Sequence, residues 1–428
     1  MAHGRPLAWP MASRSGARYV RAMASNKELV DLAKKVLVPT YKQPPFVLTR
    51  GERCRVWDAD GNEYLDLCAG IAVVSCGHGH PELARAVSEQ AARLMHTSNL
   101  FYNDRSIELA AELVRRTGFA RVFFCNSGTE ANEAMLKIAR RWHYEHGRPE
   151  RTEIVATIHS FHGRSLGALS MTGQPKYHVG LGPLVGDVKH VTYGDLDAMR
   201  AAVGPRTAAI IVEPIQAEGG IVDGTDAYLR GLRALADDVG ALLLFDEVQT
   251  CHGRTGAFLA REKSGVWPDV CALAKGLAGG FPYAAMLVTE KMSDGLPPGS
   301  HGTTFGGNPL GAAAALAVLR VFDAEGLVDN ARRVGEHLGA RIAALVGDGK
   351  HPAAMQPRGR GLLRGIALAD GFDPAATLAK IRERRVLMSL AGGNVLRFTP
   401  PLCVTAEEID EGFAVVADVL RDAPRVAK

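Results

Sequence analysis

Short apolar runs alternate with stretches of helical spacing along much of this chain. Val122–Cys125, Glu153–Ile158, Val188–Thr192, Ala208–Val212, Ala241–Phe245, Val270–Leu273 and Ala284–Val288 are near-continuous in apolar residues. Runs of that length suit strands buried on both faces. Between the first two, Ala131, Ala134, Met135, Ile138, Ala139 and Trp142 fall at the spacing of an amphipathic helix. Strands alternating with helices predict a mostly parallel, helix-covered sheet, an α/β fold. From Leu310 the rhythm changes: helical spacing covers Leu310–Phe322 and Leu327–Leu345, then Val395–Phe398 reads as a strand. Thr405 followed by Glu408 has the form of a capping box opening a last helix. We therefore expect a large domain over residues 68–309 and a smaller α+β domain over 310–428, with 26–67 packed against the smaller one.

Composition narrows the partners. The 428 residues are 47% hydrophobic and 22% charged, with a formal net charge of +4. That is an ordinary globular balance, too long for one simple core. No basic, aromatic-studded stretch suggests nucleic acid. The longest strictly apolar run, Ala312 to Leu319, is far short of the ~20 residues of a membrane-spanning helix. Seven scattered cysteines with no C-x-x-C pair argue against a disulfide framework and fit a reducing compartment, the cytoplasm. Residues 1–27 carry Arg5, Arg14, Arg18, Arg21 and Lys27 with no acid before Glu28. Such a segment reads as an organelle transit peptide, which would give a matrix location. The reading we prefer is a disordered tail over residues 1–25, or an over-long start before Met23.

Four polar clusters stand where strands end, the edge at which open parallel sheets bind ligands. Asn126-Ser127-Gly128-Thr129 joins a strand to a helix, and such a turn either cradles a phosphate or simply caps the helix. Asp246-Glu247-Val248-Gln249 closes an apolar strand. A carboxylate there needs a partner, a protonated ring nitrogen or a neighbouring helix end. Lys275, between Ala274 and Gly276, is a lysine whose charge desolvation disfavours, hence a nucleophile toward carbonyls, or else a snorkelling surface lysine. Phe161-His162-Gly163-Arg164 offers an aromatic face for a planar group and an arginine for a carboxylate. Jointly these are the parts a pyridoxal-phosphate enzyme needs. Dinucleotide and P-loop motifs are missing. His78 and His80, in Gly77-His78-Gly79-His80-Pro81, have no neighbouring ligand set for a metal and read as a turn.

The order of these segments resembles that of the class III aminotransferases. Asn126–Glu133, Phe161–Arg164, Val212–Gln216, Asp246–Thr250, Leu273–Gly276 and Thr304–Pro309 carry the likeness, which runs from about Pro39 to Ala423. The resemblance implies a fold-type I pyridoxal-phosphate transferase, a homodimer with active sites at the interface. It assigns catalysis to Lys275, which holds the cofactor, and to Asp246, the partner of the ring nitrogen. Cofactor contacts fall on Ser127, Gly128, Thr129, Phe161, His162, Glu247, Val248 and Gln249, with Thr304 reaching the other subunit's phosphate.

Within the class, Gly70–Val73, Gly77–Pro81, Ser98–Tyr102 and Gly173–Tyr177 resemble the branch that takes the terminal amine of N-acetyl-L-ornithine and passes it to 2-oxoglutarate. Ornithine, succinylornithine, N-succinyl-diaminopimelate and 4-aminobutyrate are the rival donors, and a binding protein that lost the chemistry is the non-enzymatic rival. Substrate contacts fall on Arg164, Thr303, Glu218 and Arg397. Arg164 would grip the donor's α-carboxylate. Arg397 would bind the α-carboxylate of glutamate and otherwise pair with Glu218, because a buried unpaired charge is costly. Two departures stand out. Ala217 replaces a commoner glycine beside Glu218 and would be strained at a positive φ. Cys251-His252 replaces a commoner glycine plus apolar residue after Thr250, and its effect on substrate choice is left open by the sequence.

Overall fold

The structure, a computed structural model, describes residues 25–426. Most of the tail expected over residues 1–25, including Met23 and four of its arginines, lies outside them. From Ser25 onward the chain is anchored. The Ser25 side chain accepts from the Glu28 N–H and the Glu28 side chain from the Ser25 N–H, capping the helix Asn26–Val36. Asn26 donates to Asp60 through its backbone N–H (2.9 Å) and its Nδ2 (3.0 Å).

A seven-stranded sheet forms the centre. Its spatial order is Arg121–Cys125, Ala284–Val288, Val270–Leu273, Leu242–Asp246, Thr207–Val212, Glu153–Thr157, Val188–Val191. Only Ala284–Val288 runs antiparallel to its neighbours. All seven strands begin and end within a residue of the sequence expectation. Their side chains alternate between two apolar clusters. Leu243, Phe245, Cys271 and Leu273 enter one; Leu242, Leu244, Val270 and Ala272 enter the other. Both faces are thus dry, which is why apolar–polar alternation is missing from these runs. Burying a side chain such as Phe245 contributes about 1.5–3 kcal/mol. Because six strands share one direction, Cys125, Thr157, Val212, Asp246 and Leu273 all end at the same edge.

Two smaller sheets surround a separate apolar cluster. Leu48–Glu52, Arg55–Asp58, Glu63–Asp66 and Val386–Leu387 form one; Ala354–Arg360, Leu363–Leu368, Val395–Phe398 and Ser389–Ala391 form the other. Leu65 and Leu67 share that cluster with Leu338, Ile366, Phe398 and Val416. The helices Pro309–Ala324 and Leu327–Gly347 lead into it. The capping box at Thr405 opens the helix Ala406–Arg421.

One segment breaks the ordinary handedness. Ala69, Gly70, Ile71 and Ala72 are four consecutive residues at φ between 48° and 65°. Left-handed backbone costs a residue with a Cβ about 1–2 kcal/mol, so such a turn persists only where its surroundings hold it. It delivers Val73 to the wall of the cavity described next.

Candidate active site

The strand ends meet in a cavity of about 440 Å³, lined among others by Ser127, Gly128, Thr129, Phe161, Arg164, Asp246 and Lys275. Its floor is the start of the helix Gly128–Glu145. Ser127 is the N-cap, its Oγ accepting from the Glu130 N–H. The first N–H groups of a helix have no partner inside it, so this turn presents donors and a positive dipole end. Gly128 is there for space: a Cβ on it would sit 2.7 Å from Val248 Cγ1. Gly163, at φ +131°, packs its backbone onto Thr129.

Asp246 closes its strand buried and held by three donors. Asn132 Nδ2 (2.7 Å) and His162 Nδ1 (2.8 Å) reach Oδ2, and the Val248 N–H (2.9 Å) reaches Oδ1. Lys275 follows the neighbouring strand at φ +47°. Burial pushes its amine below the ordinary lysine range, and Arg397 adds to this, while the charges of Glu218, Asp246 and Glu213 only partly offset it. A neutral amine is the form that attacks carbonyls. Glu213, a cavity residue that the sequence reading quoted only inside a motif, is raised well above the carboxylate range by burial and by Asp246. It accepts from the Phe161 N–H at 3.1 Å.

Arg397 is 1% exposed. It ion-pairs with Glu218 through Nη1, which also donates to Gln249 Oε1 (3.1 Å), and its Nε donates to Ser389 Oγ (3.0 Å). Gln249 Nε2 donates in turn to Glu218 (3.1 Å), closing a triangle. Burial works to raise the Glu218 carboxyl, but the Arg397 and Lys275 charges outweigh it and hold it below its usual value. Arg164 stands exposed at the mouth with its guanidinium 3.7 Å above the Tyr177 ring centroid. Thr303 accepts from Asn126 Nδ2 (3.3 Å) just behind the turn.

Several sequence expectations need correction. Glu247, grouped with the cofactor contacts, is not part of the cavity wall. Its carboxylate accepts from the Ala260 N–H (2.6 Å), the Arg261 N–H (3.0 Å) and Thr250 Oγ1 (3.0 Å). Adjacent residues at a strand end point to opposite sides, so Asp246 and Glu247 cannot both face the cavity. Ala217 is not at a positive φ; the left-handed positions nearby are Gly220 and Ile221. Cys251 and His252 are buried outside the cavity, Sγ 2.7 Å from Nδ1, so they do not shape the pocket wall. Thr304 needs no correction: it is exposed and outside the cavity of its own chain, the placement that a reach to another subunit's phosphate requires. His78 and His80 each meet a carboxylate, Asp66 at 2.7 Å and Glu325 at 2.9 Å, and the segment is a turn.

A family model described as aminotransferase class-III matches residues 37–420. An acetylornithine aminotransferase of Myxococcus xanthus is 48% identical, covering 90% of this chain and 96% of that protein. One from Pseudomonas putida is 44% identical, covering 89% and 93%. A solved ornithine aminotransferase of Toxoplasma gondii superimposes with a TM-score of 0.89 at 34% identity, covering 93% of this chain and 95% of that one. The chain belongs to the class III aminotransferases, pyridoxal-phosphate enzymes that move an amino group from an amino donor to 2-oxoglutarate. The cavity fits that cofactor. Its size suits a small ligand, and His162 Nε2 and Asn132 Oδ1, on two of its lining residues, are buried without a protein partner.

Proposed function

We propose that this chain transfers the terminal amino group of N-acetyl-L-ornithine to 2-oxoglutarate, giving N-acetylglutamate 5-semialdehyde and glutamate. The observation that carries the reading is one cavity holding a desolvated lysine, a triply bonded carboxylate and a helix-start turn. Relatives named acetylornithine aminotransferase, at 42–48% identity, support the choice of donor.

Ser127, Gly128 and Thr129 would hold the cofactor phosphate, and Phe161 and Val248 the faces of its ring. Gln249 would sit near the ring oxygen, with Asp246, backed by His162, beside the ring nitrogen. When bound, pyridoxal phosphate supplies an aldehyde that condenses with amines and a protonated ring that draws electrons from the substrate carbon. Lys275 would hold the cofactor, and its amine, once freed by the incoming donor, would take the proton at the substrate carbon. Arg164 binds the donor's α-carboxylate at the mouth, with Thr303 nearby. Glu218 pairs with Arg397 while acetylornithine is bound and yields it to the α-carboxylate of glutamate.

We read the working form as a homodimer in the cytoplasm, without nucleic-acid or membrane partners. Leu100, Phe101, Tyr102 and Phe305 are between 63% and 96% exposed. Asn99 Nδ2 bonds the Thr303 and Gly306 carbonyls, so these side chains rise from adjoining loops beside Thr304. A second copy over that patch would bring Thr304 to the partner's phosphate; a solution mass of a single chain would sink this part. No helix among the described residues is long and apolar enough to cross a membrane.

Two measurements test the reading. Borohydride treatment of the cofactor-loaded protein should fix the cofactor's mass on Lys275, and Lys275→Ala should lose both label and turnover. Ranked by kcat/KM with 2-oxoglutarate, N-acetylornithine should lead free ornithine. A lead of about tenfold or more for ornithine, some 1.4 kcal/mol of transition-state binding, overturns the choice of donor.

A further inference from the structure

Asp246 is a carboxylate whose orientation is set from outside, and one of the groups that sets it has no part in the roles assigned above. Asn132 lies on the helix Gly128–Glu145, four residues past Gly128. Four residues are about one turn, so Asn132 faces the same way as the turn that starts the helix and lies about 6 Å deeper along its axis. It is 2% exposed beside the buried Ala131, Ala134 and Met135. Burying an amide there is unfavourable unless its hydrogen bonds are made.

Both protons of Nδ2 are used. One goes to Asp246 Oδ2 and one to the His162 carbonyl, each at 2.7 Å. The reversed amide would set its oxygen against two acceptors, so these partners fix which end points where. Asn132 therefore holds Asp246 directly and also holds the backbone of His162, whose ring is the second donor to the same oxygen. Oδ1 of Asp246 receives only the Val248 N–H and keeps a lone pair.

We propose that Asn132 is a positioning residue for the amino transfer: by bonding Asp246 and the His162 carbonyl together, it aims the carboxylate that partners the cofactor's ring nitrogen. One helix then sets two ends of the site, the phosphate turn in its first turn and the ring-nitrogen partner through Asn132 in its second. The inference rests on the role proposed above for Asp246.

The test uses the holoenzyme and two variants. Asn132→Ala removes the donor. Asn132→Asp keeps the shape and replaces the donor by a group that donates only when protonated and repels Asp246 when ionised. Asp246 and His162 are in direct reach, and the other titratable and charged groups lining the same cavity are Arg164, Glu213, Glu218, Lys275 and Tyr283. For Asn132→Ala we expect kcat to fall about 10- to 100-fold, the scale of a misplaced catalytic group, with the donor's KM changed by less than about threefold. The pH titration of the bound cofactor's visible absorbance should shift, a readout independent of turnover. In Asn132→Asp the loss should deepen as pH rises and recover toward acid.

A pH-independent loss in both variants that tracks a lower melting temperature, with the absorbance titration unmoved, overturns the proposal in favour of a packing role. Wild-type kcat in both variants also overturns it. If instead Lys275→Ala retains the cofactor label, the underlying reading of the site has failed, whatever Asn132 does.

Discussion

Arg397 shows how one buried charge constrains a two-substrate enzyme. It has Glu218, Gln249 and Ser389 as partners and almost no access to water. Removing the carboxylate from a buried pair costs about 3–5 kcal/mol, because the remaining charge is stranded. On the roles proposed above, glutamate brings its own carboxylate to Arg397 in Glu218→Ala and acetylornithine does not. Single-turnover kinetics should show the acetylornithine half-reaction slowed about 100-fold, roughly 2.7 kcal/mol, and the glutamate half-reaction by less than about tenfold. Equal effects would make the pair a fixed structural bridge. Asp246 and Lys275 stand out in the sequence only jointly, because each ends or follows an apolar strand at the edge where the turn at Gly128 and Arg164 also fall, in the order of the class III family; either alone reads as an ordinary strand-end charge. Glu247 was misassigned because adjacency in sequence hides the two-residue alternation of a strand. Asn132 and Glu213 stood inside recognised segments. Only their burial, which a sequence does not state, separates them from their neighbours.

At the scale of elements, the helix Gly128–Glu145 is pinned by the contact between Gly128 and Val248. A methyl group there forces Val248 to move or the helix start to retreat, an overpacking cost of about 1–3 kcal/mol. We expect Gly128→Ala to raise the Kd for pyridoxal phosphate about 10- to 100-fold in an absorbance titration of the apoprotein. An unchanged Kd would show that the turn does not carry the phosphate. The strands were readable because burial on both faces leaves unbroken apolar runs, and the last helix because Thr405 and Glu408 cap each other. The left-handed turn at Ala69–Ala72 was not readable. Alanine and isoleucine favour the opposite hand, and only tertiary packing overrides that preference.

For the whole molecule, buried histidines set an acid limit. His143 bonds the Ala208 carbonyl under the sheet, and burial lowers it to about 4; burial likewise lowers His252 to about 3. Unfolded, both would bind protons near the ordinary value of 6.5. Below that pH the unfolded chain takes up protons that the folded one refuses, so stability falls as pH drops from 6.5 toward about 4 and is fully retained above 6.5. The urea midpoint should decline across that window, and His143→Gln should flatten the decline. A midpoint constant from pH 7 to pH 4 would show that His143 titrates freely.

The wrong-handed stretch before Val73 has a consequence for how this chain tolerates change. At Ile71, 43% exposed, the backbone rather than side-chain fit sets which residues are acceptable, whereas at the buried Ala69 and Ala72 both act together. Glycine relieves the steric penalty there, and proline, confined to φ near −65°, cannot take that shape at all. A saturation library at codon 71 would therefore rank residues by chirality-related cost instead of by size or polarity, an inversion of what the buried strands would select.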